Sequence, residues 1–421
     1  MPAEHAAARR WGFRLYALHL LTLPALAVAN VVAGLTILST PWTARGRRPP
    51  PAARPLLIAL GVYALLLLAS IAASYSPAQS WRAASELFTL AILVLALYLV
   101  RGEREARWIV AGLVVVAALA AAFGLVQLGL GYGGIDRRIR GPFSHWMTFA
   151  HFLMVCDCLL IGRLAAGPPA RGWRRLGLWA ALAAINLAIV GSLTRSVWVA
   201  LALTFTLLLA VRAPRWLLAY LPAAALVVLL APVPLLHRMA SVVDLGDPSN
   251  YDRLCMVRAA ARMTAERPLF GLGPEMVRER YAIYREPTAP RYGVPHLHNN
   301  LLQLAAERGL PALGAYLAMT VLALAAAARG FRAAGGFRAA RAGPDAAGAA
   351  GLAGLHLGTI LALVAFNLGG LFEYNWGDTE VQRLALFALA LPYCAGAAGP
   401  GGSRSPSPVA ADTRGGEAPR R

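Results

Sequence analysis

Apolar runs of membrane-spanning length recur through almost the whole chain of 421 residues, and they limit the folds open to it. A helix needs about 20 apolar residues to cross the hydrocarbon core of a bilayer. The runs cover roughly residues 55–74, 84–100, 108–131, 145–162, 176–193, 196–211, 216–236, 309–328, 350–372 and 381–397. None alternates polar and apolar residues as an outer-membrane strand does. The sequence therefore predicts an all-α, polytopic membrane helical bundle with about 12 transmembrane helices.

The first apolar stretch, Trp11 to Leu38, is too long for one span and short for two. Pro24 and the small residues around it favour either one kinked helix or a tight pair of helices. A pair gives about twelve spans in total, and a single kinked helix gives about eleven. Because so many spans follow, we expect this segment to stay uncleaved rather than to serve as a signal peptide.

Basic residues in the short loops set the predicted orientation. All forty basic residues are arginine, and the net charge is +20. They gather in alternate short loops, which argues against a nucleic-acid partner and marks that side as cytoplasmic by the positive-inside rule. These loops cover residues 45–54, 101–107, 163–175, 212–215 and 329–341. The remaining loops then lie on the opposite face of the membrane.

One loop on that opposite face is long, covering residues 237–307, and we expect it to carry two helices. The first is predicted to begin at a cap on Ser249 or Asn250 and to end at Pro268. The second is predicted within residues 274–286, with a proline in its first turn. The loop is therefore expected to be a large helical element between two spans.

The chain shows no internal repeat, so we expect residues 1–398 to form a single transmembrane domain that includes the long loop. Residues 399–421 are predicted, from their composition, to be a disordered cytoplasmic tail. The cysteines show neither a disulfide framework nor the spacing of metal ligands, and they are expected to be packing residues. They are Cys156, Cys158, Cys255 and Cys394.

Arg253 is a candidate anion ligand in the first helix of the long loop. On a helical wheel it lies on the less polar face, whereas Arg258 and Arg262 fall on the far side. An unpaired guanidinium at an apolar interface is costly. Arg253 therefore either pairs with a local acid, such as Asp244 or Asp247, or awaits a ligand anion. The other members of its predicted face are Leu254, Val257, Ala260, Ala261 and Thr264.

Two further basic positions lie on the same side of the membrane as the long loop. Arg195 occupies a tight turn between two spans, where an ionisable group is usually functional or paired, and snorkelling to the interface is the alternative. The segment "DRRIRGPFSHW" breaks the positive-inside trend, which indicates either attraction to an anion or an exposed loop. It contains Arg137, Arg138, Arg140 and His145.

The segment "RYGVPHLHNN", residues 291–300, concentrates polar residues at the border of the next span. His296 and His298 are two apart and would point the same way in an extended chain, as zinc ligands sometimes do, but no third ligand is evident. Alternatively, a helix begins near His298 and is broken at Gly309. His298 would then lie at the mouth of a membrane cavity, where a histidine can act as a general base near neutral pH.

This stretch resembles the signature of O-antigen ligases and their polymerase relatives. That signature is a histidine, a small amide or hydroxyl residue, nine further residues and a glycine. Here His298-Asn299 is followed by Gly309 at that distance. The glycine, threonine or tyrosine that is usual three residues later is Ala312 in this chain.

Two other segments resemble the same family. The segment "RLCMVRAAARMTAERPLFGLGPEM" aligns Arg253 with a conserved arginine, and "SLTRSVW" aligns Arg195 with another. A tryptophan that is common in the first segment is Val257 here. The resemblance extends to the order of spans and to the large loop before the last three of them.

The resemblance implies a glycosyltransferase of the bacterial cell inner membrane, with its active site facing the periplasm. The donor would be an O-antigen on undecaprenyl diphosphate, and the acceptor would be a sugar hydroxyl of lipid A–core among the membrane lipids. His298 would take the acceptor proton or orient the hydroxyl, and Arg195 and Arg253 would hold the diphosphate. Single-step displacement would invert the anomeric centre, and no metal or other cofactor would be required.

The remaining candidates for substrate binding are Arg140, His145, His296, Asn299 and Arg258. The helical wheel places Arg258 on the outer face, so its change to alanine is expected to have little effect. Two relatives of the ligase stay open, namely an O-antigen polymerase and a protein O-oligosaccharyltransferase. The compact loop and the His298 signature favour the ligase.

A transporter of polyprenyl-linked glycan is an alternative from a different class. It predicts broken helices and charged residues deep within the bundle. Asp157 is the main carboxylate at such depth, and we expect it to make a packing hydrogen bond instead.

Overall fold

A computed structural model describes residues 3–134, 136–218, 248–342 and 346–396 of the chain. Most of the expected span at 216–236 lies outside the described residues. The same holds for Asp244, Asp247 and the predicted tail at 399–421.

The described residues form α-helices and short 3-10 turns, and they contain no strand, so the all-α prediction is confirmed. The helices are α1 Ala3–Leu21, α2 Leu26–Thr43, α3 Arg54–Ala72, α4 Pro77–Ser80, α5 Glu86–Leu99, α6 Gly102–Gly129, α7 Trp146–Ala166, α8 Gly172–Gly191, α9 Arg195–Arg212, α10 Pro248–Glu266, α11 Met276–Tyr284, α12 Asn300–Ala333, α13 Ala347–Gly369 and α14 Thr379–Ala395.

Nine helical segments within the described ranges are long and apolar enough to cross a membrane. α14 is buried along its length but has only 17 residues. A polytopic helical bundle is therefore confirmed, while the total of about 12 spans stays a prediction.

The first apolar stretch forms a helix pair rather than one kinked helix. α1 ends at Leu21, α2 begins at Leu26, and the turn between them contains Pro24. The amide of Ala25 bonds the carbonyl of Thr22 across this turn at 2.8 Å. Proline cannot continue the helical ladder, since it has no N–H to donate, and the chain reverses there.

α7 and α13 form the centre of the bundle. In each helix, 78% of the most apolar stretch of 18 residues is buried. They approach so closely that a Cβ on Gly162 would lie 2.1 Å from the backbone nitrogen of Gly358. Gly354 also lies at this contact, four residues before Gly358. Small residues at this spacing let membrane helices pack backbone to backbone, which fixes the register of α7 against α13.

The long loop contains the two predicted helices, α10 and α11, at slightly different bounds. α10 begins at Pro248, just before the predicted cap, and α11 begins at Met276 after Glu275 in the left-handed region. The two helices share a small hydrophobic core with Ala306 of α12, separate from the main core of the bundle.

The predicted inward face of α10 is correct at Ala260 but wrong at Leu254, Val257 and Ala261, which are exposed. The buried residues are Asp252, Cys255, Met256, Ala259, Ala260 and Met263, which repeat at helical spacing. Leu254 and Val257 are 43% and 44% exposed. The small, cysteine and methionine side chains fit the narrow space over α12, so the two branched residues point outward. Arg253 lies at the edge of the buried face.

Candidate active site

The candidate site is built around the start of α12. Asn299 caps this helix, because its side-chain oxygen accepts from the amides of Leu301 at 2.8 Å and Leu302 at 3.0 Å. Its side-chain amide donates to the carbonyl of Leu371 at 2.9 Å. His298, just before the cap, has a φ of +49°, in the left-handed region that few non-glycine residues adopt. The predicted helix start near His298 is therefore confirmed, and Asn299 has a structural partner on each side.

Gly309 breaks α12, as the sequence predicted, with a φ of 82° and a ψ of 169°. Only glycine adopts this conformation readily. A Cβ there would also lie 2.2 Å from the carbonyl oxygen of Leu269. The loop segment 268–273 packs against this break, and the amides of Leu272 and Gly273 bond the carbonyls of Ala306 and Glu307. The signature glycine thus lets the long loop dock on the membrane helix.

Glu373 is the partner of His298, and it is not among the site residues predicted from the sequence. The two oxygens of its buried carboxylate lie 3.1 Å from Nδ1 of His298. Asn300 holds the segment around Glu373 in place, because its amide donates to the carbonyl of Gly370 at 2.7 Å and its side chain bonds Asn375 at 2.6 Å. A carboxylate on Nδ1 fixes the imidazole orientation and leaves Nε2 to accept a proton.

The protonation states of Glu373 and His296 depend on their burial and on the charges near them. Burial opposes the negative charge of Glu373, but the hydrogen bond and the attraction from His298 outweigh it and lower its pKa to about 2. Burial lowers the pKa of His296 to about 4, against the opposing effect of Glu373. His296 accepts the amide of His298 at Nδ1, at 3.3 Å. Glu373 is therefore ionised, and His296 is neutral at neutral pH.

One cavity of about 220 Å³ brings together the three residues that the sequence proposed as catalytic. Its lining includes His298, Arg195 and Arg253. Arg195 is buried at the first position of α9, and its Nη2 donates to the hydroxyl of Ser249 at 3.2 Å. This volume is below that of a typical drug-sized pocket, so the cavity can enclose a charged head group and little more.

Two more arginines line the same cavity, Arg138 and Arg291. Burial and the nearby Arg195 lower the pKa of Arg138, whose guanidinium lies 5.0 Å from the Trp146 ring. Among the described residues that line the cavity, Asp252 is the only acid, and it bonds Arg291 at 3.2 Å. Four cations and one carboxylate give the cavity a strong preference for anions.

The other predicted contacts lie apart from this lining. Arg140 is exposed and donates to the carbonyl of Ser144 at 3.0 Å. Arg258 forms an ion pair with Glu286 at 2.7 Å on the outer face of α10, as the helical wheel placed it. His145 caps α7 by accepting the amide of Met147 at 3.2 Å, and its ring stacks on Trp146. Thus Arg138 reaches the cavity from its segment, and Arg140 does not.

His296, His298 and Glu373 could also hold a metal ion. One donor atom from each lies within 4.8 Å of the others, and Glu373 supplies the third ligand that sequence reasoning did not find. A metal would compete with the arrangement above, because Nδ1 of His298 already bonds the carboxylate.

Residues 179–317 match the family model described as O-antigen ligase. Over that part of its length, the chain is similar to O-antigen ligases. The resemblance seen in the motifs is therefore confirmed, and it supports an enzyme of the ligase and polymerase superfamily. A comparison with curated proteins gave no significant match. The matched segment contains Arg195, Arg253 and His298, whereas Arg138 and Glu373 lie outside it.

A signal for Glu373 was available in the sequence. The chain has only 20 acidic residues, and few fall at the ends of spans on the face of the long loop. Glu373 is one of these, directly after the run at 350–372. A search for a carboxylate able to orient the histidine base would have selected it.

Proposed function

We propose that the protein is an O-antigen ligase, which moves O-antigen polysaccharide from undecaprenyl diphosphate to a sugar hydroxyl of lipid A–core at the periplasmic face of the bacterial inner membrane. One observation carries this proposal. A single cavity is lined by four arginines and by a histidine whose Nδ1 is held by a buried carboxylate. A proton acceptor and an anion site are thus adjacent, as glycan transfer from a lipid diphosphate requires.

His298 acts as the base in this proposal. Its Nδ1–H donates to Glu373, and its Nε2 accepts the proton of the acceptor hydroxyl. The hydroxyl oxygen forms a bond to the anomeric carbon of the donor sugar while the bond from that carbon to the diphosphate oxygen breaks. Attack from the side opposite the leaving group inverts the anomeric centre.

The arginines stabilise the leaving group. The electron pair of the broken bond stays with the undecaprenyl diphosphate, which gains negative charge as the reaction proceeds. Arg195 and Arg253 bind these phosphate oxygens, and Arg138 and Arg291 complete the positive surface. The buried turn that holds Arg195 keeps its guanidinium in one place, so little reorganisation is needed when the charge develops.

The position of the cavity suits two lipid substrates. His298 lies two residues before the membrane segment Asn300–Arg341, and Arg195 is the first residue of the membrane segment Arg195–Arg212. Head groups of lipids reach this level of the bilayer, whereas their tails remain beside the bundle. The polar residues at 291–300 therefore lie where a sugar hydroxyl and a lipid diphosphate can meet.

The test is complementation of a Gram-negative strain that lacks its own ligase. We expect the wild-type chain to cap lipid A–core with O-antigen. His298→Ala, Arg195→Ala and Arg253→Ala should accumulate lipid-linked glycan without capping, and Arg258→Ala should behave as the wild type. Capping by the His298→Ala variant at the wild-type level would remove the proposed base.

Purified protein with both substrates separates the ligase from its alternatives. A ligase joins the glycan to lipid A–core, while a polymerase lengthens the lipid-linked glycan and leaves lipid A–core unchanged. A protein O-oligosaccharyltransferase modifies a protein acceptor, and a transporter forms no new glycosidic bond. Formation of capped lipid A–core by the purified chain alone is the outcome we expect.

A further inference from the structure

A second and larger cavity lies at the other end of the bundle. It has a volume of about 1470 Å³ and runs between α6, α7, α8 and α13. On α7 its lining includes Leu159 and Arg163, near the end of a helix whose start at Trp146 lines the candidate active site. The helix between these points is about 20 Å or more in length, so the two cavities are at opposite ends of the membrane segment.

The walls of this groove are apolar over a long distance. Along α6 the lining extends from Arg104 to Leu119, which corresponds to about 22 Å of helix. This length exceeds one leaflet of the bilayer hydrocarbon, about 15 Å. Val114, Leu159 and Leu178 are among the side chains along it. Apolar walls of this length fit hydrocarbon chains.

The rim of the groove is cationic. Arg107 is paired with Glu103 at 2.7 Å, and the guanidinium of Arg163 donates to the carbonyl of Pro168. Arg104, Arg171 and Arg174 also line the groove, are exposed, and make no ion pair within the part of the chain that the structure describes. Three arginine charges thus remain available beside the apolar walls.

Two tryptophans mark the level of the membrane interface at this rim. Trp108 is 56% exposed and Trp173 is 87% exposed, and both line the groove. Tryptophan prefers the boundary between head groups and hydrocarbon. The arginines beside them are therefore at the depth of lipid phosphates.

We propose that this groove binds an anionic phospholipid from the arginine-rich side of the membrane, with its phosphate on Arg104, Arg171 and Arg174 and its acyl chains along α6. A basic rim over an apolar cleft between membrane helices complements such a lipid in charge and in shape. The site is independent of the glycan transfer proposed above, because none of its lining residues lines the candidate active site.

The structure offers a substitution that fills the groove without touching a charge. Gly177 lines the groove, and a Cβ built on it has no heavy atom within 4 Å. We therefore expect a tryptophan there to be accommodated and to occupy the space of an acyl chain. Gly61 in α3 has equally open surroundings and is not among the residues that line the groove, so Gly61→Trp is the matched control.

The experiment is native mass spectrometry of the delipidated full chain with added phosphatidylglycerol or phosphatidylcholine of identical acyl chains. We expect preferential retention of phosphatidylglycerol. The double variant R171Q/R174Q should weaken it by at least about tenfold, since each arginine near lipid phosphates contributes on the order of 1 kcal/mol. R215Q/R332Q removes two exposed arginines outside the groove lining and should leave retention unchanged.

Further arms make the result decisive. Gly177→Trp should abolish retention of both lipids, whereas Gly61→Trp should not, and R171Q/R174Q tests the proposal even if the tryptophan variant fails to fold. Glycerol 3-phosphate, which has no acyl chains, should not compete. Equal retention of the two lipids, loss with R215Q/R332Q, or competition by glycerol 3-phosphate would overturn the proposal. A dimer that Gly177→Trp disrupts would assign the groove to a second copy instead.

Discussion

The two arginine-lined cavities of this molecule lie at opposite ends of α7 and differ in how their cations are held. In the small cavity, Arg195 is buried at a helix start and Arg138 is half-buried beside it. At the large groove, Arg171 immediately before α8 and Arg174 in its first turn are exposed. Fixed guanidinium groups can stabilise charge that develops during a reaction, whereas mobile ones attract a charge that is already present.

The second difference is the proton acceptor. The small cavity contains His298 with Glu373 behind it, while the only acid in the lining of the groove, among the described residues, is Glu103, which is paired with Arg107. Burial, rigidity and a base together distinguish a candidate reaction site from a candidate binding site that has similar charges.

Without the histidine base, the small cavity should still bind an anion, as proposed for the groove, but should no longer support transfer. We expect His298→Ala to lower the transfer rate by about a hundredfold to ten thousandfold, the usual contribution of general base catalysis. Binding of the lipid diphosphate should change little, because the arginines remain. The measurement is transfer by purified protein together with donor binding. A variant that loses donor binding and rate in the same proportion would show that His298 holds the donor rather than the proton.

Replacement of Arg195 or Arg253 tests whether the fixed position of these cations in the cavity matters. Arg195→Gln or Arg253→Gln should each reduce the rate by about a hundredfold to a thousandfold, since each removes a donor to the leaving diphosphate. Arg195→Lys should recover only part of the rate, because lysine keeps the charge but not the planar fork.

The matched control for these variants is Arg258→Gln. Arg258 shares α10 with Arg253 and pairs with Glu286 outside the cavity. Its substitution should leave the rate unchanged. A loss equal to that of Arg253→Gln would mean that general positive charge, rather than placement in the cavity, supports the reaction.

The carboxylate behind His298 should have a smaller effect with a distinct signature. Glu373→Gln removes the anion that stabilises protonated His298, so the rate should fall by about tenfold to a hundredfold, the range for carboxylates that orient metal-binding histidines. Since the pKa of Glu373 is about 2, the wild-type carboxylate is charged throughout the assay range. The acid limb of the pH profile should therefore move to lower pH in the variant alone.

Glu286→Gln is the control, because Glu286 pairs with Arg258 and Arg262 far from the cavity. An identical pH profile for wild type and Glu373→Gln would contradict the positioning role. Loss of folding in Glu373→Gln would appear as a change in both melting temperature and rate, without a shift of the profile.

Much of the fold could be predicted from residue type and spacing. Apolar length defined the membrane helices, and the residues after His298 predicted a helix that is broken at Gly309. These are local properties, because a cap, a break and a span depend on neighbouring residues. The bounds of α10 and α11 were predicted almost correctly for the same reason.

The remaining parts of the site depend on contacts between distant segments. Glu373 lies 75 positions after His298 and meets it only because Asn300 bonds the segment at 370–375. Arg138 lines the small cavity and Arg140 does not, and this difference depends on the conformation of the turn before α7. The prediction of the buried face of α10 assumed that the branched apolar residues Leu254 and Val257 are core residues. In the structure, Met256 and Ala259 are buried instead.

The smallest expected effect on the transfer rate is that of removing metal ions. The result bears on the comparison of the small cavity with the groove. His296, His298 and Glu373 have the donor atoms for a cation, and a bound cation would replace the base with a further positive charge. We expect purified protein to transfer glycan at an unchanged rate after chelation with EDTA. His296→Gln, which removes one donor atom, should likewise retain most of the activity because His296 is the neutral neighbour of the base. Loss of activity on chelation, restored by a divalent ion in the wild type but not in His296→Gln, would make this cluster a metal centre. The contrast between the two cavities would then depend on a bound ion rather than on a buried histidine and its carboxylate.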